Sequence, residues 1–256
     1  MEDSPLFSLL PAEIRAKIFT FALSHYEDTQ ALYNTNTFYS RPSYFAPRKT
    51  STDLLRTCRA IYRETWPLPV ALWEETVWMG HRLRAPPEYC HWKRAGKLQR
   101  LLPSLARQLG QEKAEIGSLH AFVQMFRLEH DDLASLLRTP GLHPRQLTLT
   151  IRDTDWRYWR QNWPLRFTAK WIKEVSSALS PSKTEFRIEL EACESRKDEV
   201  DAIGKHIAEN WFFGQYGGTI LYADVSGKCH KVSRWTGPSI EGPSCYLNYY
   251  ILTITF

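Results

Sequence analysis

The stretch from Gln146 to Trp171 constrains the fold of this chain most, because a strand pattern runs directly into a dense group of tryptophans. In the string QLTLTIR, apolar and polar residues alternate, which is typical of a strand with one buried face. The tryptophans that follow, here called the Trp cluster, are Trp156, Trp159, Trp163 and Trp171. Each buried tryptophan removes roughly 150–250 Å² of surface from water. We therefore expect a sheet edge and a helix to pack on the Trp cluster.

The patterns on either side of the Trp cluster predict an α+β protein. Two amphipathic helices come first, LLPAEIRAKIFTFAL and DLLRTCRAIYRETWPL. Apolar spacing predicts four further helices over Ala95–Gly110, Leu119–Leu137, Thr168–Leu179 and Ser195–Trp211. Alternation predicts four further strands over Glu185–Glu191, Thr219–Val225, Lys231–Trp235 and Tyr246–Phe256, the middle two joined as a hairpin through Ser226-Gly227. We expect N-terminal helices packed on a C-terminal mixed β-sheet with helices on one face.

Three segments follow from this reading: a helical region over 1–80, a basic helical middle segment over 81–143, and an α+β Trp-rich sheet region over 144–256. The middle segment carries eight Lys or Arg between His81 and Lys113, with Tyr89 and Trp92 interleaved. These cations do not form a compact run, and no nucleic-acid motif surrounds them. The net charge of +5 is also modest. A solvated helix face explains the cations, and nucleic acid is not an expected partner.

The composition, 43% hydrophobic and 24% charged, is that of an ordinary globular chain. No eighteen apolar residues run together, so no membrane span is expected. The N-terminal string MEDSPLFSLL lacks the basic region of a signal peptide. The five cysteines are scattered and include no Cys-x-x-Cys pair, which is typical of reduced thiols inside a cell. These features predict a cytoplasmic or nuclear protein.

Motifs for common cofactors and metals are missing from the sequence. It contains no P-loop, no G-x-G-x-x-G string and no G-x-S-x-G elbow. Structural zinc needs two close pairs of ligands, and neither the group around Cys90 nor the group around Cys229 supplies both. We therefore expect no cofactor and no bound metal.

The two N-terminal helices carry a family resemblance. LLPAEIRAKIFTFAL followed by LLRTCRAIYRE resembles the two halves of an F-box, and it is closer still to the F-box-like domain that opens many filamentous-fungal proteins of unknown function. The strings DTDWRYW, FRIELEACESRKDEVDAI and RWTGPS resemble the C-terminal part of such proteins. The resemblance therefore extends over nearly the whole chain, and it makes the segment 1–80 an F-box-like helical region. The chain differs from an F-box in the insertion at residues 26–50.

The resemblance implies an interaction module, and specifically a substrate-recognition adaptor. In an F-box, the first two helices bind the Skp adaptor of a cullin ubiquitin ligase through an apolar face. By analogy, the partner-binding residues would be Leu10, Pro11, Ile14, Ile18, Leu55 and Cys58. The alternative is that both helices pack on the rest of the protein, since amphipathic helices are more often core elements than docking faces.

The residues around the Trp cluster indicate a second function, in which carboxylates catalyse a reaction. Asp153 and Asp155 follow a predicted strand at its carboxyl end, where α/β sheets place their ligands. A carboxylate against indole in a dry pocket has a raised pKa and can act as a general acid or base near neutral pH. Glu189 can face the same space from the next strand. Arg152 and Arg187 are the candidate anion-binding residues.

With Trp156, Trp159 and Trp163 as the apolar ligand surface, these residues would suit a cofactor-independent isomerase, cyclase or dehydratase of fungal secondary metabolism. Its substrate would be an apolar small molecule, aromatic or polyene. The alternative is structural: Asp153 caps the turn and Asp155 pairs with Arg157 or Arg160. Glu189 and Arg187 then make cross-strand pairs. An enclosed cavity beside a desolvated carboxylate favours the enzyme, whereas interdigitated rings and paired carboxylates favour the interaction module.

Overall fold

The computed structural model describes residues 5–161, 163–181, 184–215, 218–224, 230–239 and 245–256. In this part of the chain the α-helices are α1 (Pro5–Ser8), α2 (Ala12–Leu23), α3 (Arg59–Thr65), α4 (Leu68–Ala71), α5 (His91–Gln108), α6 (Met125–Glu129), α7 (Asp132–Leu137), α8 (Ile172–Ala178) and α9 (Lys197–Asn210). The strands are β1 (Tyr26–Glu27), β2 (Arg48–Lys49), β3 (Glu74–Met79), β4 (Glu115–Val123), β5 (His143–Ile151), β6 (Glu185–Cys193), β7 (Phe212–Gly214), β8 (Ile220–Tyr222), β9 (His230–Pro238) and β10 (Tyr246–Thr255).

The main sheet of the described residues has six strands in the order β3-β4-β5-β6-β10-β9. The first four are parallel to one another. β10 runs antiparallel to β6, and β9 runs antiparallel to β10 along the edge. The sheet is therefore mixed and the protein is α+β, as the sequence predicts.

The helices that follow the parallel strands share one face of the sheet. Consecutive parallel strands lie side by side, and right-handed crossovers then put each connecting helix on the same face. Accordingly, Leu102 of α5, Val175 of α8 and Val200 of α9 belong to one buried cluster with Leu149 of β5 and Ile188 of β6. This cluster is the main core.

The opposite face of the sheet is covered by the insertion at residues 26–50, here called the covering loop. Its ends pair as β1 and β2, with Tyr26 opposite Lys49. From within it, Tyr39 packs with Trp78 of β3 and Phe122 of β4 in a second buried cluster. The two rings on the sheet are stacked 4.1 Å apart. The covering loop thus converts an exposed sheet face into a second, smaller core.

The N-terminal helices differ from the prediction. The second predicted helix is broken into a 3₁₀ turn over Asp53–Arg56 and the short helices α3 and α4. α2 is tied to α3 by an ion pair between Arg15 and Glu64 at 3.0 Å. α4 packs against β4, where Gly117 lies so close to the Ala71 carbonyl that a Cβ would clash. The N-terminal helices therefore meet the sheet through β4, not through its C-terminal strands.

Two strands of the sheet were not expected at their positions. β3 lies in the segment 1–80 that was predicted to be helical, and β4 lies in the predicted helical middle segment 81–143. The helix predicted over Leu119–Leu137 is wrong at its start, since α6 and α7 begin only after β4 ends. The predicted hairpin is also wrong among the described residues, because β8 pairs with β7 and β9 pairs with β10. Its turn at Ser226-Gly227 lies outside the described residues.

Candidate functional site at the carboxyl edge of the sheet

The carboxyl ends of the parallel strands bring the Asp-Thr-Asp segment together with residues from two other regions. After β5, Asp153–Asp155 forms a 3₁₀ turn, and a second 3₁₀ turn follows at Trp159–Gln161. A third, Arg82–Arg84, follows β3. Parallel strands end on one edge of the sheet, so these three turns lie side by side there.

Asp155 is buried and fully occupied by two arginines. Its carboxylate lies 2.5 Å from Nε of Arg152 and 3.1 Å from Nη1 of Arg84. Arg152 also donates to the Phe38 carbonyl at 2.6 Å, and its guanidinium lies over the Trp78 ring at 5.1 Å. Asp155 therefore holds the covering loop and the turns in place. The predicted catalytic role of Asp155 and the predicted anion-binding role of Arg152 do not fit this geometry, because neither charge is available to a ligand.

Asp153, in contrast, lines a cavity of about 250 Å³ together with Ser195, Arg196 and Tyr249. Its Oδ1 accepts a hydrogen bond from the backbone N–H of Cys193 at 2.9 Å. Desolvation by burial raises the pKa of Asp153 to about 6, against the opposing effect of that hydrogen bond. Asp153 is thus a carboxyl group that changes protonation near neutral pH at the wall of a cavity.

Trp159 separates this cavity from a larger one of about 520 Å³, and Arg160 also lines both. The guanidinium of Arg84 lies over the ring of Phe38 at 4.7 Å and over that of Trp159 at 5.6 Å. The two rings meet edge to face, 6.4 Å apart. Cation–π contacts of this kind fix the rings around a desolvated cation. These contacts therefore hold Trp159 in place between the two cavities.

The other predicted ligand-binding residues lie elsewhere. Trp156 is buried in the main core, and its Nε1 donates to the Glu191 carbonyl at 2.8 Å. Trp163 is 55% exposed. The Trp cluster is therefore split, and a ligand-binding role for Trp156 is wrong because the residue is core. Arg187 lies six residues, roughly 20 Å, before the end of β6 and pairs with Glu185 of the same strand.

Glu189 belongs to a chain of hydrogen bonds across the covered face of the sheet. The Thr150 hydroxyl donates to Glu189 at 2.6 Å and accepts from Nε2 of His120 at 2.7 Å. Nδ1 of His120 is then left to accept the hydroxyl proton of Tyr44 at 2.5 Å. Desolvation lowers the pKa of His120 to about 4, although Glu189 acts in the opposite direction. Glu189 therefore anchors the covering loop through a neutral histidine and does not share the cavity of Asp153.

A second carboxylate on the same face, Glu191, is buried between two partners. It lies 3.1 Å from Nη2 of Arg41 in the covering loop and accepts from Nε1 of Trp235 at 3.1 Å. The guanidinium of Arg41 also lies over the Phe122 ring at 5.3 Å. A buried ion pair needs such additional partners, since each charge loses its water.

The predicted partner-binding face of α2 points away from the rest of the protein. Ile14 and Ile18 are each 42% exposed and Phe21 is 88% exposed, while Phe19 and Leu23 are buried. At about 100° per residue, the three exposed side chains share one side of the helix and the two buried ones share the other. α2 therefore presents its more continuous apolar stripe, here called the α2 face, to solvent.

The remaining predicted partner residues are less accessible. Pro11 is exposed beside the α2 face, whereas Leu10 is half-buried. Leu55 and Cys58 are half-buried too, and the Cys58 thiol accepts the backbone N–H of Ile61 at 3.5 Å as the cap of α3. The accessible part of the predicted face thus lies on α2.

Comparisons with protein-family models, with curated proteins and with solved structures give no match to this chain. Within the described ranges, no helix combines the length and the apolar character needed to cross a membrane. In the same part of the chain, no three His, Cys, Asp or Glu side chains are grouped so that they could hold a metal ion. These comparisons therefore assign neither a family nor a function to the chain.

Several residues of the edge are not evident from the sequence because they come from separate loops. Arg84 and Arg160 are single arginines among many, and Tyr249 reads as an ordinary strand residue. His120 carried a usable signal, since it alternates with Phe122 on what is in fact a strand. Recognising β4 as a strand would have placed His120 on the face opposite the helices.

Proposed function

We propose that the protein is an interaction module of the F-box-like type whose α2 face binds a Skp-type adaptor. The observation that carries the proposal is the exposure of Ile14, Ile18 and Phe21 on one side of α2. Fully burying a side chain of this size contributes about 1.5–3 kcal/mol. Contiguous apolar surface of this kind is costly to leave in water and marks interaction sites.

The packing of α2 supports the same proposal. Phe19 and Leu23 already anchor the helix, so the protein does not need the α2 face for its own folding. Phe21, which is 88% exposed, can therefore be changed with little loss of contacts inside the protein. The carboxyl edge of the sheet would then be left for the recognition of a substrate or ligand.

The test is binding of the full chain to a purified Skp-type adaptor, measured by biolayer interferometry. We expect wild-type protein to bind, and we expect Phe21→Asp and Ile18→Asp each to weaken binding at least tenfold. Tyr222→Asp, which changes an exposed aromatic residue on β8, is the matched control. Circular dichroism confirms that the variants fold. Absence of binding by wild type, or equal binding by Phe21→Asp, would refute the proposal.

A second candidate function is acid–base catalysis by Asp153 without a cofactor. Its support is the raised pKa of Asp153, about 6, at the wall of the 250 Å³ cavity. A carboxyl group with such a pKa exchanges protons with a substrate near neutral pH more readily than an ordinary aspartate. Of the three carboxylates first considered, only Asp153 retains this role.

This candidate is tested by proton exchange at carbon. Aromatic and polyene ketones are incubated with the protein in D₂O, and deuterium incorporation next to the carbonyl is followed by mass spectrometry. We expect incorporation with wild type and its loss in Asp153→Asn. Asp198→Asn, at the start of α9, is the control. If wild type incorporates no deuterium into any of the ketones, or if Asp153→Asn matches wild type, this function is excluded.

A further inference from the structure

The 520 Å³ cavity at the carboxyl edge has walls suited to a flat apolar molecule. Its lining includes Phe38, Phe126, Tyr158 and Trp159. Volumes of 300–1,000 Å³ with mainly apolar walls and a few polar groups are typical of small-molecule sites. None of these residues belongs to the α2 face, so the cavity and the α2 face are separate surfaces.

The charge of the lining is of one sign. The cavity is lined by Arg84, Arg160 and His81, and none of its described lining residues is acidic. Arg84 forms an ion pair with Asp155 at 3.1 Å. Arg160, by contrast, makes no hydrogen bond or ion pair with any described residue, and its guanidinium lies over the Trp159 ring at 5.1 Å. Arg160 is therefore a cation of the cavity lining that has no anionic partner among the described residues.

The neighbouring acid does not supply that partner. Asp153 lines the smaller cavity on the other side of Trp159, and the cation that affects its pKa is Arg196. Arg196 is itself bound to Glu199 at 2.9 Å. Among the described residues that line the two cavities, no carboxylate pairs with Arg160.

The backbone at the cavity wall is strained. Tyr158 has a φ of 55°, in the left-handed region that residues other than glycine rarely adopt. Its ring packs against that of Trp163 at 4.7 Å, and both side chains remain more than half exposed. Strain of this kind costs of order 1–3 kcal/mol and clusters at ligand sites. This backbone conformation places the exposed side chain of Tyr158 in the lining of the cavity.

We propose that this cavity binds a small organic anion with a flat aromatic body. Arg160 pairs with the acidic group, while Phe126 and Trp159 pack against the ring. An anion is favoured over a neutral ring because the lining offers a cation without a carboxylate. A ring is favoured over a compact anion such as phosphate because Phe38, Phe126, Tyr158 and Trp159 all line the cavity.

The proposal is tested by isothermal titration calorimetry of the full chain at pH 7 with three probes of the same shape. These are 2-naphthoate, the neutral 2-naphthalenemethanol and the cationic 2-naphthylmethylamine. We expect naphthoate to bind most tightly and the amine most weakly. Arg160→Gln should weaken naphthoate binding about fivefold, the upper end for a partly solvated ion pair, and leave the alcohol unchanged. Phe126→Ala should weaken naphthoate and the alcohol alike.

Arg166→Gln is the matched control, since it removes the same charge from an exposed residue outside the lining. Equal effects of Arg160→Gln and Arg166→Gln would show only a loss of net charge and would overturn the proposal. So would equal affinity for naphthoate and the alcohol, the absence of binding by all three probes, or unchanged binding in Phe126→Ala.

Discussion

Asp153 and His120 should change the stability of the fold in opposite directions as the pH falls. Single substitutions at these two positions should separate the two effects. Burial lowers the pKa of His120 from 6.5 to about 4, so its contribution to stability is full above pH 6.5 and is lost as the pH falls. Burial raises the pKa of Asp153 from 3.8 to about 6, so its neutral form stabilises the fold below pH 4. That contribution is lost as the pH rises through 6. Between pH 6.5 and 4 the two effects oppose each other.

The magnitudes follow from the same pKa values. Between pH 7 and pH 4.5, the fold loses about 2 kcal/mol through His120 and gains about 2 kcal/mol through Asp153. Asp153→Asn removes the gain, so this variant should lose about 2 kcal/mol more stability than wild type over that interval. His120→Gln removes the loss and should lose about 2 kcal/mol less. All other groups titrate alike in the variants and cancel from the differences.

The assay is urea unfolding at pH 7.0, 5.5 and 4.5, followed by tryptophan fluorescence and by circular dichroism. His120→Gln also costs stability at every pH, because the Tyr44 hydroxyl loses its acceptor, but a constant cost does not change the slope. The double variant should run parallel to wild type. If Asp153→Asn and wild type lose stability in parallel, Asp153 is not desolvated as the structure places it. If His120→Gln keeps the slope of wild type, the neutral histidine chain is wrong.

Three further changes test the packing by urea unfolding at pH 7. Phe19→Ala should cost about 3–5 kcal/mol because the ring is buried, whereas Phe21→Ala should change stability by less than about 0.5 kcal/mol; similar costs would mean that α2 is rotated. Gly204→Ala should cost about 1–3 kcal/mol, since a Cβ there would overlap the Leu252 side chain, and a stabilised variant would contradict this packing. Asp155→Asn should cost about 3–5 kcal/mol by leaving two buried arginines without their counter-charge, and a near-neutral effect would show that the pair is solvated.

The sequence predicts those strands in which apolar residues on one face alternate with polar residues on the other. In β5 and β6 the residues on the helix side are apolar, and those under the covering loop include Thr150, Glu189 and Glu191. Alternation therefore survives although the strands are parallel and covered on both faces. β4 ends in Ala121-Phe122-Val123, all buried, because aromatic rings cover it there. A short apolar run does not distinguish a strand from a buried helix.

In the candidate site, some residues follow from a local sequence pattern, whereas others depend on partners that are distant in the sequence. Asp153 could be placed from sequence, since a polar residue after a strand lies at the carboxyl edge of the sheet. The pairing of Asp155 with Arg84 could not be predicted, because Arg84 follows a different strand and lies 71 residues away. The sequence also does not show which side of α2 is buried, because large apolar residues occur on both sides of the helix. The burial of Phe19 and Leu23 in the structure decides it.

The covering loop connects three parts of the fold that lie far apart in the sequence. The covering loop supplies Phe38 to the 520 Å³ cavity, Arg41 to Glu191 and Tyr44 to His120. Without it, Glu191 and His120 would face water and would lose their partners Arg41 and Tyr44. The covering loop follows α2 and precedes α3, so these two helices flank the segment that covers one face of the sheet. An adaptor bound to the α2 face would consequently be attached to the element that forms one wall of the ligand cavity.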